Sequence, residues 1–216
     1  MLNKQGEGKI DWCDYSWNPI SGCKHRCSYC YMQRIVKRFN FDMTPTFYPK
    51  RLNDLNKLKT PSKIFVCSSG DIFSPGVKDE WIQKVIDTIK NFPEHTFQLI
   101  SKNPKRYKDF QFPNNCWLGT CVDGLAKTKD NITTLKFTIT DNLKFVSFEP
   151  LIKEVDVDLE GFKWVIIGGD STHNAEKPPD EWVDKIMEET KKYDIPVFIK
   201  NNYKYKRKVK EFPKLK

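Results

Sequence analysis

Nowhere in the 216 residues does an apolar run approach the roughly 18 consecutive residues a membrane helix needs, which argues against a membrane partner. No G-x-G-x-x-G or Walker pattern is present, and the Gly168-Gly169 pair alone is not a phosphate loop. Histidine is scarce at three, and His95 and His173 show no metal spacing. No secretory leader, linker, internal repeat or low-complexity stretch is read along the chain. Cysteine is not scarce, but its count of seven is odd and the chain is long, which argues against a disulfide framework. Free thiols without an export signal point to a reducing cytoplasm.

What stands out is Cys23-Lys-His-Arg-Cys27-Ser-Tyr-Cys30-Tyr31, three cysteines spaced C-x3-C-x2-C. Three thiolates on one short loop can hold three corners of a cubane iron–sulfur cluster, whereas full ligation takes four. One iron would then be open to chemistry. A zinc site with His25 as fourth ligand is the alternative, but zinc motifs usually pair two ligand doublets across a longer stretch. No second doublet follows here. Cys67, Cys116 and Cys121 fall in or beside expected strands, where packing is the default role. A second cluster would need them to converge with Cys13.

Apolar residues make up 38% of the chain and aromatics 13%, enough for one core spanning residues 1–216. Strand-like runs at 63–68, 96–101, 116–122, 145–148, 164–168 and 196–199 alternate with helical patterns. Helices are expected over about 77–92, 104–110, 125–135 and 180–193, with no long helix between the fourth and fifth strands. Near-continuous apolar strands between amphipathic helices predict a parallel sheet covered by helices. About six such units predict an α/β fold of the partial (β/α)6 TIM-like barrel type.

Active-site residues of such barrels project from the C-terminal ends of the strands. Ser68, Ser69, Gly70 and Asp71 follow one strand, and Ser101 and Lys102 the next. Thr120 and Asp123 end the third, Glu149 the fourth, Gly168 to Asp170 the fifth, and Lys200 with Asn201 the last. A single polar strand end says little, but so many at one rim argue for a site.

The net charge of +9 favours a polyanionic partner. The excess is concentrated at residues 200–216, with eight Lys or Arg, one acid (Glu211), and Tyr203, Tyr205 and Phe212 interleaved. Basic groups can contact phosphates while aromatics stack on bases. A solvated, frayed tail is the alternative.

The run from Gly22 to Gln33 resembles the motif loop of the spore photoproduct lyase group of radical S-adenosylmethionine (SAM) enzymes. Over nearly its full length the chain resembles a phage-type family of radical SAM-like proteins of unassigned function. That resemblance rests on Trp17-Asn-Pro-Ile-Ser-Gly-Cys23, Asp71-Ile-Phe73, His95 to Lys102, Trp117-Leu-Gly119, Ser147-Phe-Glu-Pro-Leu151, Trp164 to Ser171 and Phe198-Ile-Lys200. The chain departs from the family in its shorter spacing within the cysteine motif and in Asp170, where a longer acid is usual.

The resemblance implies a cluster loop at residues 22–31, a [4Fe-4S] cluster on Cys23, Cys27 and Cys30, and SAM as second cofactor. It implies reductive cleavage to a 5′-deoxyadenosyl radical, with an electron donor such as flavodoxin or ferredoxin. Ser68, Ser69 and Asp71 are expected to contact SAM, and Lys102 its methionine carboxylate, the alternative for Lys102 being a solvent-facing loop lysine beside Lys105, Arg106 and Lys108. Tyr29 or Tyr31 would stack near the adenine or cover the cluster, and the rim acid Glu149 would bind a ribose or substrate or else cap a neighbouring backbone. A cysteine acting as hydrogen donor is also implied, without indicating which. The expected substrate is a nucleic acid or nucleotide. The alternatives are a small molecule or peptide, or a non-enzymatic zinc- or cluster-bearing nucleic-acid-binding module. A barrel this short can be open on one side, admitting a large substrate or a protein partner.

Overall fold

The computed structural model describes residues 1–40, 42–172 and 175–214. Of the residues singled out above, His173 and the last two of the tail, Leu215 and Lys216, lie outside them.

The N-terminal part carries four short strands, β1 (Leu2–Lys4), β2 (Tyr15–Trp17), β3 (Ile20–Ser21) and β4 (Thr46–Phe47), with helix α1 (Tyr31–Phe39) between the last two. A 3-10 helix, Pro49–Lys57, leads to β5 (Lys63–Val66). The regular alternation follows: α2 (Asp79–Lys90), β6 (Thr96–Ser101), a 3-10 helix (Pro104–Asp109), β7 (Cys116–Cys121) and α3 (Asn131–Lys136). It ends with β8 (Leu143–Phe148), β9 (Trp164–Ile167), α4 (Asp180–Lys192) and β10 (Val197–Ile199).

Helix α2 buries Ile82, Val85, Ile86 and Ile89, and α4 buries Val183, Ile186, Met187 and Thr190. Both sets follow the i, i+3, i+4, i+7 spacing of one helical face. Each opens with two acids (Asp79 and Glu80; Asp180 and Glu181) and closes with lysine, complementing the helix dipole at both ends. Burying each such aliphatic side chain is worth about 2 kcal/mol.

Eight strands form one sheet in the order β1-β2-β5-β6-β7-β8-β9-β10, and every pair from β2 to β10 is parallel. Only β1, paired with β2, runs antiparallel. The order never reverses, so successive crossovers step the same way and their helices share one face. Against that face pack Ile64, Val66, Leu99, Leu118, Val146 and Val165. The other face carries a separate cluster of Trp12, Cys13, Trp117, Phe145, Trp164, Ile166 and Phe198. Gly119 makes room there, since a Cβ on it would meet the Phe145 ring at 2.4 Å. The chain is thus mixed α/β, one domain around a mostly parallel sheet whose edges are β1 and β10.

The basic tail folds back along the β10 edge. Ile199 N donates to Val209 O and Glu211 N to Val197 O, both at 2.9 Å. Trp164 Nε1 donates to Glu211 O at 2.9 Å, and the Phe212 ring stacks on Trp164 at 5.3 Å. Tyr203 is buried and donates to Asp180 at 2.5 Å, while Tyr205 donates to Asp184. Through residue 214 the tail follows the fold, with Tyr203 and Val209 buried and Phe212 against the aromatic cluster, while Lys204, Lys206, Arg207 and Lys208 stay exposed.

Candidate functional site

The cysteine loop is seated on the segment that follows β5. Gly22 and Gly70 form a parallel bridge, and Gly22 N donates to Ser69 O at 3.2 Å. A Cβ on Gly70 would stand 2.4 Å from Gly22 O, so the approach requires glycine. His25 Nε2 lies 2.8 Å from Asp71 Oδ2. Tyr31 donates its hydroxyl to Ser68 O at 2.6 Å. Three side-chain and backbone ties thus fasten the loop to one strand end.

Asp71 is buried and its carboxylate is fully engaged. Besides His25, Oδ2 accepts from Ser101 Oγ at 3.0 Å and Lys102 N at 2.9 Å, and Oδ1 from Phe73 N at 2.8 Å. Asn18 does the same for the neighbouring serines: its Oδ1 accepts from Ser69 N at 2.9 Å, Ser69 Oγ at 3.0 Å and Ser68 Oγ at 3.2 Å. Ser68, Ser69 and Asp71 therefore serve internal hydrogen bonds here, and Asp71 joins the loop to the ends of β5 and β6.

Beyond β6 and β7 stands a buried ion pair, Lys102 Nζ to Asp123 Oδ2 at 2.9 Å. Tyr29 reaches it from the cysteine loop, accepting from Lys102 Nζ at 2.5 Å and donating to Asp123. Asp123 Oδ1 also accepts from Thr128 Oγ1 at 2.6 Å and Leu125 N at 2.9 Å. Burial opposes the charge on Asp123, but Lys102 and the hydrogen bonds from Thr128 and Tyr29 outweigh it, holding the carboxyl below its ordinary pKa. Burial likewise opposes the charge on Lys102, and Cys121, Tyr29 and Asp123 around it push its pKa above the lysine norm. The Tyr29 phenol is pushed up, chiefly by burial.

A cavity of ≈ 370 Å³ opens beside this cluster, bounded by His25, Arg26, Cys27, Tyr29, Lys102 and Asp123 among others. That falls in the size range of small-ligand pockets, which begins at about 300 Å³. A second cavity of ≈ 230 Å³ shares Ser28 and Tyr29 with the first and is lined by Gln33, Arg34, Lys37 and Thr172. On the far strands, Glu149 and Lys200 form an ion pair that crowds over Gly168. The Cys121 thiol donates to Glu149 O at 3.1 Å.

Sequence reasoning passed over Asp123 as one polar strand end among several, gave His25 no role beyond a loop position or zinc ligand, and did not single out Asn18. The position of Asp123, two residues past β7, was the available signal. His25 and Asn18 act through partners distant in sequence, and their one signal was a place inside the resembling runs 22–33 and 17–23.

The donors for a soft metal group are Cys23, Cys27 and Cys30, all free and half-buried on one loop. Burial, then the nearby Asp71 charge, pushes the Cys23 thiol up to about 11, and burial raises Cys27 too. Three thiols of this kind suit a cationic iron–sulfur or zinc centre, which would draw out the thiolates. Among the described residues, no group of three or more His, Cys, Asp or Glu side chains is gathered in ligating geometry. The set fits by its chemistry and by its place on one loop. Cys13, Cys67 and Cys116 are buried and each is pushed up to about 12 by desolvation, as packed core thiols are. No helix among the described residues is long and apolar enough to cross a membrane.

Fold and site together define a mixed α/β protein with a thiol-rich loop fixed over the ends of parallel strands. The chain belongs to the family described as protein of unknown function DUF5131, whose model matches residues 7–214. Comparison with curated proteins and with solved structures gives no match.

Proposed function

We propose that this protein is a radical SAM enzyme that holds a [4Fe-4S] cluster on Cys23, Cys27 and Cys30 and cleaves SAM reductively, acting on a nucleic-acid or nucleotide substrate. Its sheet is read as a partial (β/α)6-type barrel, a reading supported by the unreversed strand order and the separate core on the face away from the helices. One observation carries the functional reading. The three-cysteine loop is tied by Gly22, His25 and Tyr31 to the end of β5, and its Tyr29 meets the Lys102–Asp123 pair beyond β6 and β7.

When bound, the cluster and SAM supply one-electron chemistry that side chains alone do not. The protein's part is binding, orientation and exclusion of water. Lys102 offers a buried cation for a ligand carboxylate, and Asp123 keeps that cation protonated and in place. Tyr29 covers the pair, so a ligand reaching Lys102 takes over part of the position of the phenol. Asp71 acts as a positioning residue, holding His25 and thereby the loop. Net charge +9 supports an anionic substrate.

The test is anaerobic reconstitution followed by iron and sulfide counts, EPR of the reduced protein with and without SAM, and detection of 5′-deoxyadenosine. A reduced-cluster signal shifted by SAM, with 5′-deoxyadenosine formed and both lost in Cys27→Ala, is the expected result. Stoichiometric zinc, no cluster and no SAM cleavage would overturn the enzyme reading in favour of a metal-stabilised binding protein.

A further inference from the structure

From Tyr15 to Phe41 the sequence contains no acidic residue, while Lys24, Arg26, Arg34, Lys37 and Arg38 fall within that stretch. The structure places most of this charge on one exposed feature. Helix α1 buries none of its residues and has no acid in its first turn. Arg26, Arg34, Lys37 and Arg38 form no ion pair among the described residues, and all but Arg26 lie on α1 itself. The tail, richer in cations by sequence, is different. Lys200, Lys206 and Lys210 are paired with Glu149, Asp184 and Asp11, Tyr203 and Phe212 are packed against the fold, and Lys204, Arg207 and Lys208, which form no ion pair among the described residues, line neither cavity.

We propose that α1 and the adjoining cysteine loop are the docking surface for the phosphate backbone of a single-stranded nucleic acid, with Arg34 and Lys37 at the smaller cavity as principal phosphate contacts. This assigns the substrate surface of the radical SAM reading and rests on that reading for its catalytic purpose, though not for its binding chemistry. Unpaired arginine and lysine on an exposed helix lose no partner when a phosphate arrives, and binding releases counterions from the strand. The smaller cavity borders the larger through Ser28 and Tyr29, so a backbone held at Arg34 and Lys37 adjoins the space beside Lys102. A cavity of ≈ 370 Å³ admits one unstacked base but no duplex, which selects a single strand or a flipped nucleotide. Tyr31, about half exposed at the start of α1, offers a ring for stacking.

The experiment is fluorescence anisotropy of a labelled mixed-sequence 12-mer single strand with the full chain, titrated across a salt series. Arg34→Gln/Lys37→Gln is expected to weaken binding at least tenfold and to lower the salt slope by about 1.4, two phosphate contacts at about 0.7 each for a single strand. Lys204→Gln/Lys208→Gln in the tail is expected to change affinity less than twofold. Circular dichroism of each variant checks that the fold is kept. Strand binding that survives the α1 change, or is lost with the tail change, overturns the proposal. So does absence of strand binding altogether, or binding to vesicles with anionic headgroups that is lost with the α1 change while the strand is ignored. Strand binding retained in a protein that shows no SAM cleavage removes the enzymatic reading and leaves the surface assigned. SAM cleavage without strand binding removes the surface alone.

Discussion

His25 and Asp71, 46 positions apart, meet at 2.8 Å between Nε2 and Oδ2, and that contact ties the cysteine loop to the sheet's rim. The same carboxylate accepts from Phe73 N, Ser101 Oγ and Lys102 N, so it sums four interactions across three segments. Asp71→Ala strands those donors in a buried position, and a cost of about 3 kcal/mol is expected in urea denaturation. The amides of residues 22–30 should also exchange faster with deuterium in native buffer. Unchanged exchange in the loop, with stability lost elsewhere, would show that Asp71 serves the core and not the loop.

The Lys102–Asp123 pair makes a prediction in pH. Asp123 has a folded-state pKa depressed below its ordinary 3.8, so its stabilisation is fully present above that value. It is lost as pH falls through the lower folded-state value. Wild type should therefore lose stability below about pH 4 more steeply than Asp123→Asn, which has no carboxylate to protonate there. Lys102→Ala is expected to cost about 3 kcal/mol at neutral pH, because it leaves Asp123 buried without its cation. Parallel acid limbs for wild type and Asp123→Asn would rule out the pair as a source of acid sensitivity.

Much of the architecture was legible because it is written in local periodicity. Thr96–Ser101 is the strand its apolar run predicts, and α2 and α4 end within two residues of their expected bounds. Where local pattern fails, so did the reading. The strands β1 and β2 have three residues each, too few to show an alternation, whereas α1 does carry apolar residues at helical spacing (Met32, Ile35, Val36, Phe39) that the reading passed over beside the cysteine motif. The helical pattern expected over 125–135 resolves into a 3-10 turn at Ala126–Thr128 and the short α3. The tail misleads for another reason. Tyr203, Tyr205 and Phe212 interleave with cations as in a nucleic-acid-binding segment, yet Asp180, Asp184 and Trp164 supply their partners from distant elements. At the site, the strand-end rule pointed to Asp71, Lys102 and Asp123 alike. What it does not carry is that Asp71 is spent on internal hydrogen bonds while Asp123 faces Tyr29 and Lys102.

The packed tail has a measurable consequence. Phe212 lies 5.3 Å from both Trp164 and Phe198, sealing the aromatic cluster on the face away from the helices. Phe212→Ala should destabilise the protein by about 2 kcal/mol, less than a fully buried phenylalanine because the ring is only partly covered. Tryptophan emission should shift to longer wavelength as water reaches Trp164. A variant as stable as wild type, with unaltered emission, would mean that residues 209–214 are frayed in solution.

Gly70→Ala separates the seating of the loop from the stability of the core. The new methyl would stand 2.4 Å from Gly22 O, and backbone on both sides leaves no flexible side chain to move away. The Gly22–Gly70 bridge must open, and with it the entry of the cysteine loop. By contrast, Gly119→Ala drives a methyl into the buried Phe145 ring and should cost about 2 kcal/mol of global stability by overpacking. Gly70→Ala is expected to keep most of its stability but to retain well under half of the wild-type iron after anaerobic reconstitution, whereas Gly119→Ala should retain nearly all of it. If the two variants lose iron in proportion to their lost stability, loading depends on the fold as a whole. If only Gly70→Ala loses it, the bridge between two glycines holds three cysteines where a metal centre can use them.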